Sequence, residues 1–410
     1  MFGYFKNNKY NNIFNATVLI AGLGYAIDMF DFFLYNVTRI SVFTDLGLDS
    51  SSFTQQGVFI LQIQVVGLLV GAVLWGVLGD KIGRKATLIS SVLIYSIASL
   101  LCAYVQDIQA YKILRFITGI GVAGEIGIGL VIVAESLKGH ARGWGIAIFV
   151  FFGFLGMLLA GLIGANFDWR TSYMIGGVGG LLLLLIRSQL QESELFTKTK
   201  IATNNRGQFF RLFQEYDLFK RFTCAVFILM PNFFAIGLFL TFSPEIMKAM
   251  GAYEPIKVGF GFIVYSAFSV VGDLLGTYLS YLFQSRKKAL AIFLALNACV
   301  LTFGLTLEAP SAFMFYIVCA LMGVTNLWVL VNMVSAEQFG TNIRSTAATS
   351  VLNMGRSTII LITASFLFLK GHGFDVLTAV RLVSIGVMVI AAVCWFGLRE
   401  TYHLDMDYLD

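Results

Sequence analysis

Residues 76–85 read GVLGDKIGRK, a short glycine- and charge-rich passage at the junction of two stretches that carry almost no charge. One apolar run covers 55–78 and the next covers 86–105, each near the roughly 20 residues a helix needs to cross a bilayer. Outward from this junction the pattern repeats. Apolar spans are predicted over 15–40, 55–78, 86–105, 109–135, 142–166, 171–190, 220–247, 256–283, 288–307, 310–337, 342–369 and 374–399. Composition agrees: of 410 residues, 58% are hydrophobic and 12% charged, roughly half the charged share of a soluble domain. The chain reads as an all-α membrane protein with twelve transmembrane helices.

Cations resist translocation, so the loops that hold them mark the cytoplasmic side. Lys6 and Lys9, then Lys81, Arg84 and Lys85, Lys138 and Arg142, Lys198 to Arg211, Arg286 to Lys288, and Arg344 all fall in alternate loops. Asp45, Asp49, Asp107, Asp168 and Glu308 fall in the others. Both termini are therefore expected in the cytoplasm, with the chain in the cytoplasmic (inner) membrane. The net charge of +5 follows from this asymmetry, so no nucleic-acid partner is needed. The first span is too long for a cleavable signal peptide and has no small-residue cleavage site. Cys102, Cys224, Cys299, Cys319 and Cys394 lie in or at the edge of spans without CxxC spacing, and His140, His372 and His403 lie in loops or the tail. Neither set predicts a metal site or a cofactor.

A polar interval over 191–219 divides the chain into halves, 1–190 and 220–410, and reads as a cytoplasmic linker. The halves echo each other. AESLKGHAR ends span four and AEQFGTNIR ends span ten, with Glu135 and Arg142 matched by Glu337 and Arg344 at a displacement of 202 residues. GVLGDKIGRKATL is matched by GTYLSYLFQSRKKAL at nearly the same offset. Two similar six-helix bundles are what a rocking transporter needs, because they can enclose one midplane site and open it alternately to each side.

With Gly76, Gly79, Asp80, Gly83, Arg84 and Lys85 lying between spans two and three, GVLGDKIGRK resembles the loop motif of the major facilitator superfamily. The resemblance covers essentially the whole chain and implies two pseudo-symmetric six-helix bundles. Gly83 permits a tight turn, and Asp80 can accept from helix N-termini or pair with an arginine. The resemblance implies that Asp80, Gly83, Arg84, Lys85, Arg115, Glu135, Arg142, Glu337 and Arg344 latch the bundles in the outward-open state. The alternative is that they are only topology signals and helix ends. The second copy departs from the motif, with Ser280 where the acid would be.

Charges inside the spans carry the chemistry. Asp28, Asp31, Tyr35 and Arg39 fall at i, i+3, i+7 and i+11 in span one, on one helical stripe that Ala21 and Gly24 extend. Phe30, Phe32 and Phe33 take other directions, toward lipid or neighbouring helices. An acid at a helix centre costs about 2.5 to 3.5 kcal/mol, so two acids need partners such as Arg39 or Arg115, or a function. Span four, RFITGIGVAGEIGIGL, places Glu125 at similar depth. Its Gly119, Gly121 and Gly124 match GxGxxG as a string, but no strand precedes them, and they predict close helix approach rather than a dinucleotide. Acids sharing one poorly solvated cavity repel, so at least one is expected to hold a proton near neutral pH.

In the second half, Arg356 lies about 20 Å along span eleven from its start, with Asn353 three residues before it. A buried arginine suits a bidentate carboxylate or phosphate, or a structural pair with Asp273 of span eight. Gln62, Gln64, Tyr35, Asn326, Asn332 and Asp273 are further candidates for lining a substrate site. DMFDFFLY, RFITGIGVAGE and NMGR are similar to the proton symporters of organic acids in the superfamily, the aromatic-acid, sialate and lactate type. Met29 and Ala123 depart from the subfamily pattern.

These residues predict import of a small organic anion with protons, by a monomer in the lipid bilayer. Asp28, Asp31 and Glu125 would couple the protons, and Arg356 with Asn353 would anchor the anion. A proton antiporter that exports drugs or metabolites, or a siderophore transporter, would use the same fold. A membrane enzyme has no histidine at depth and no paired cysteine to work with, and no GxxxxGK[ST] loop supports ATP-driven transport.

Overall fold

The computed structural model of the chain describes residues 15–82, 84–137, 140–187, 213–339 and 344–402, apart from the side chains of 76–77, 79–82, 84, 127, 131, 134–135, 140–144, 336, 344–346 and 348–349. Among these residues, twelve helical segments are long and apolar enough to cross a membrane. The chain divides into two units, Met1–Phe53 with Phe59–Asn204 and Thr54–Val58 with Asn205–Asp410.

The first unit holds α1 (Ala16–Asp45), most of α2 (Phe53–Ile82), α3 (Arg84–Cys102), α4 (Ile108–Ser136), α5 (His140–Asn166) and α6 (Trp169–Arg187). Local chemistry sets several starts. The Asn15 side chain accepts from the Val18 N–H at 2.9 Å, and Asp107 accepts from Gln109 and Ala110, the side-chain caps that orphan N–H groups at a helix start require. α1 is the buried member of the unit, packed against α4, α5 and α6. Phe30, Phe32 and Phe33 are all buried, so they face neighbouring helices and not lipid. The glycines of α4 settle the GxGxxG string. A Cβ on Gly119 would sit 2.0 Å from the Gln64 carbonyl oxygen of α2, and one on Gly121 or Gly124 would strike Tyr95 or Ser91 of α3. They are contact points for two neighbouring helices.

The second unit is less regular. It comprises α7 (Tyr216–Phe227), α8 (Met230–Phe234), a π-helical turn over Ala235–Leu240, α9 (Ser243–Ala249), α10 (Val258–Leu282), α11 (Arg286–Thr306), α12 (Ala312–Val324), α13 (Trp328–Glu337), α14 (Arg344–Gly371) and α15 (Val376–Gly397). Two spans expected as single helices are therefore interrupted. In the seventh, Pro231 stands in the first turn of α8; its ring excludes the carbonyl four residues back and it donates no N–H, so α7 stops before it. In the tenth, the break over residues 325–327 contains neither proline nor glycine, and its cause lies in the side chains packed around it, described below.

Candidate functional site

The stripe on α1 is wholly internal. Asp28, Asp31, Tyr35 and Arg39 are each at most 1% exposed. Asp31 accepts a hydrogen bond from the Ser99 hydroxyl of α3 through Oδ1, and its Oδ2 lies 3.8 Å from Arg115 Nη1 of α4. Arg115, grouped with the latch in the sequence reading, is not near a helix end. It lies against the rings of Tyr111 and Tyr173 and donates to Thr118 Oγ1 at 3.2 Å. The Tyr35 ring lies tilted beside that of Tyr111 with centroids 6.4 Å apart, and the Tyr111 hydroxyl meets that of Tyr173 at 2.6 Å. Arg39, the other partner considered for the acids, donates to the Phe53 carbonyl at 3.3 Å.

Glu125 has a partner that the sequence reading missed. Arg187, the last residue of α6, grips it bidentately: Nη2 donates to Oε2 at 2.6 Å and Nη1 donates to Oε1. Both side chains are fully buried. Gly24 of α1 makes the space, since a Cβ there would sit 1.5 Å from Arg187 Nη2. Asp28 lies within electrostatic reach of the same guanidinium. The unit thus buries three carboxylates and three guanidiniums, those of Arg39, Arg115 and Arg187, where charge is costly unless paired and hydrogen-bonded. Gln64 of α2 is also fully buried, and among the described residues neither end of its amide has a hydrogen-bond partner. Gln62 is half-buried.

In the second unit, the side chains of Asn232, Asp273 and Asn326 converge on the break between α12 and α13. Asn232 Nδ2 donates to Asn326 Oδ1 at 2.5 Å, and Asn232 Oδ1 accepts from the Leu327 N–H at 3.1 Å. Asn326 Oδ1 also accepts from the Trp328 N–H at 3.2 Å, and Asp273 Oδ1 accepts from the Val329 N–H at 3.1 Å. These bonds supply the partners that interrupted backbone needs away from water. Asn297 reinforces the turn by donating to Thr325 Oγ1 at 3.0 Å. Asp273 and Asn326 are thus engaged with this break, and Asp273 forms no ion pair with Arg356. Arg356 and Asn353 are both buried on α14, at 2% and 6% exposure, and Asn353 Oδ1 has no hydrogen-bond partner among the described residues. Asn332 is half-buried on α13.

Of the latch candidates, the side chains of Asp80, Arg84, Glu135, Arg142 and Arg344 and the whole of Gly83 lie outside the described residues. Lys85 is half-buried. Glu337 is paired within its own unit: Arg286 donates through Nη2 to Oε1 at 2.9 Å and through Nε to Oε2 at 3.1 Å, and Thr401 donates to Oε2 at 2.6 Å. Arg286 also donates to Ser280 Oγ at 2.8 Å. The serine that replaces the motif acid therefore still takes a hydrogen bond from the motif arginine, without its charge. Close by, Glu400 accepts from the N–H groups of Arg286 and Lys287 at the start of α11 and from the Ser285 hydroxyl. Partial burial pushes its carboxyl up, but these bonds and the Tyr402 N–H outweigh that and hold it below the usual glutamate range.

Two units of membrane-crossing helices, with charged and amide side chains buried at depth, define a membrane transporter. The family model described as Major Facilitator Superfamily matches residues 21–364, and the chain belongs to that superfamily, whose members are transporters and not enzymes. The chain is similar to the benzoate transport protein of Acinetobacter baylyi, with 23% identity over 390 residues that cover 84% of this chain and 81% of that one. It is 32% identical over 187 residues to the niacin transporter of the same organism, covering 44% of this chain and 41% of that one. Among solved structures it is similar to a D-xylose–proton symporter, with a TM-score of 0.74, 18% identity, and coverage of 94% of this chain and 98% of the other.

Proposed function

We propose that this protein imports a small organic anion together with protons, by alternating access of its two bundles. The observation that carries the proposal is the gathering of buried ionisable groups in the first unit, where Asp28, Asp31 and Glu125 lie buried along with Arg39, Arg115 and Arg187. Several carboxylates gathered away from water repel one another, and binding a proton on one of them relieves that cost. A proton shared among three acids can be exchanged without rebuilding the cluster. That is the property a coupling site requires.

For the substrate, Arg356 with Asn353 offers a planar donor fork and an amide at membrane depth, the pair of groups that suits a carboxylate. Tyr35, Gln62, Gln64 and Asn332 add polar lining. Benzoate and niacin, the compounds for which two relatives are named, both carry a single carboxylate on an aromatic ring. In the same reading Asp80, Gly83, Arg84, Lys85, Glu135, Arg142, Glu337 and Arg344 latch one transport state, the termini and the 191–219 linker are cytoplasmic, and the working unit is a monomer.

The test is uptake into proteoliposomes under an imposed pH gradient, with benzoate and niacin as probes. Combined Asp28→Asn, Asp31→Asn and Glu125→Gln should abolish gradient-driven accumulation. Accumulation that survives all three changes refutes proton coupling through this cluster. Arg356→Ala should remove carboxylate-induced thermal stabilisation of the purified protein, and unchanged stabilisation removes the anchor.

A further inference from the structure

The break between α12 and α13 depends on three acceptors, and only one of them can change its charge. Asn232 and Asn326 are amides; the third is Asp273, about 22 Å along α10 from Val258 and 7% exposed. Its Oδ1 takes two donors, the Val329 N–H and Asn326 Nδ2 at 3.3 Å. Its Oδ2 is buried with no hydrogen-bond partner among the described residues. α10 packs against α11, α12, α13 and the π-helical turn. Among the described residues these present no charged group to the carboxylate. Tyr265 on α10 itself is the titratable side chain in electrostatic reach, with Cys319 of α12 beyond it; α11 offers Asn297, and Glu337 lies at the far end of α13, about 14 Å away along its axis.

Asp273 therefore meets no cation, and what favours its charge is the N-terminus of α13, where the free N–H groups and the helix dipole attract an anion. A proton on Oδ2 would cancel that attraction while leaving Oδ1 able to accept from Val329 more weakly. We propose that Asp273 is a second proton-binding site, separate from the acids of the first unit, and that its charge state sets how firmly the tenth span is held in two pieces. The charged carboxylate fixes the start of α13; the protonated one loosens it. The proton comes from water and returns to it, so no other reactant is needed.

Trp328, the first residue of α13, packs edge-on against Phe233 of α8 with ring centroids 6.0 Å apart, and reports the break directly. The experiment uses the full chain in nanodiscs with Trp75, Trp144, Trp169 and Trp395 changed to Phe, and follows Trp328 emission from about pH 5 to about pH 9, a range that spans the titration of buried carboxyls. A single-proton transition is expected. It should vanish in Asp273→Asn, which keeps the acceptor for Val329, and persist when Asp28, Asp31 and Glu125 are neutralised together, so the outcome is independent of the proton coupling proposed for the first unit. Asp273→Glu guards against misfolding of the asparagine variant and should displace the midpoint. A parent without a transition, a transition that survives Asp273→Asn, or an unmoved midpoint in Asp273→Glu overturns the proposal.

Discussion

Replacing Arg187 with leucine removes the guanidinium that grips Glu125 and leaves the carboxylate buried, with no water to replace the two lost hydrogen bonds. Deleting one partner of a buried ion pair costs about 3 to 5 kcal/mol. At about 2 to 4 °C per kcal/mol for a folding unit of this size, the apparent Tm in detergent should fall by about 6 to 20 °C. Adding Glu125→Leu should return most of the loss, because removing both charges leaves an apolar contact of similar volume. Gly24→Ala reaches the same pair by another route: its new methyl carbon would occupy the space of Arg187 Nη2, and the guanidinium can yield only by leaving Glu125. Gly24→Ala and Arg187→Leu should therefore combine less than additively. The measurement is a thermal melt of the four variants beside the parent. If Arg187→Leu melts with the parent, or if the two substitutions add in full, the pair does not hold the unit together as described.

Three further outcomes follow from other parts of the molecule. Asn326→Ala strips the Trp328 N–H and Asn232 of their shared acceptor and should cost about 1 to 3 kcal/mol, with faster amide exchange confined to residues 325–329. Glu400 is held low by the N–H groups it caps, so its contribution to stability is present above the ordinary glutamate range, about pH 4.3, and is lost as the pH falls through its lower folded value; Glu400→Gln should flatten that acid limb of the melting curve and leave neutral pH nearly unchanged. Glu337→Gln weakens the bidentate contact with Arg286 and should destabilise by about 1 to 3 kcal/mol, while Ser280→Ala, which removes one neutral acceptor from the same arginine, should cost about 0.5 to 1.5 kcal/mol; the order of the two in chemical denaturation checks the assignment.

The twelve helices were legible because lipid imposes one requirement, a long apolar run, and the chain meets it twelve times with polar joints between. The i, i+3, i+7, i+11 stripe of span one was legible for a related reason: helical spacing alone puts Asp28, Asp31, Tyr35 and Arg39 on one face, and all four are buried. Partner choice was not. Arg187 follows a run of five leucines and an isoleucine and reads as the cation that ends a span, yet it is fully buried against Glu125; the only local hint was Gly24, the residue small enough to admit it. The interruption of the seventh span had a visible cause in Pro231. That of the tenth did not, since Thr325, Asn326 and Leu327 do not break helices by themselves, and Asn232 and Asp273 reach the break from 95 and 56 positions away in the chain.

The duplicated halves differ in mechanical character. In the first unit, every described span is a continuous helix, α2, α3 and α4 touch through glycines with no side chain to slide, and arginines tie α4 to α1 and α6 to α4. In the second, two spans are jointed, and their joints meet at Asn232 and Asn326. One half is braced like a frame and the other hinged like a linkage. The two units therefore have unequal compliance, so deformation under load should concentrate in the jointed one.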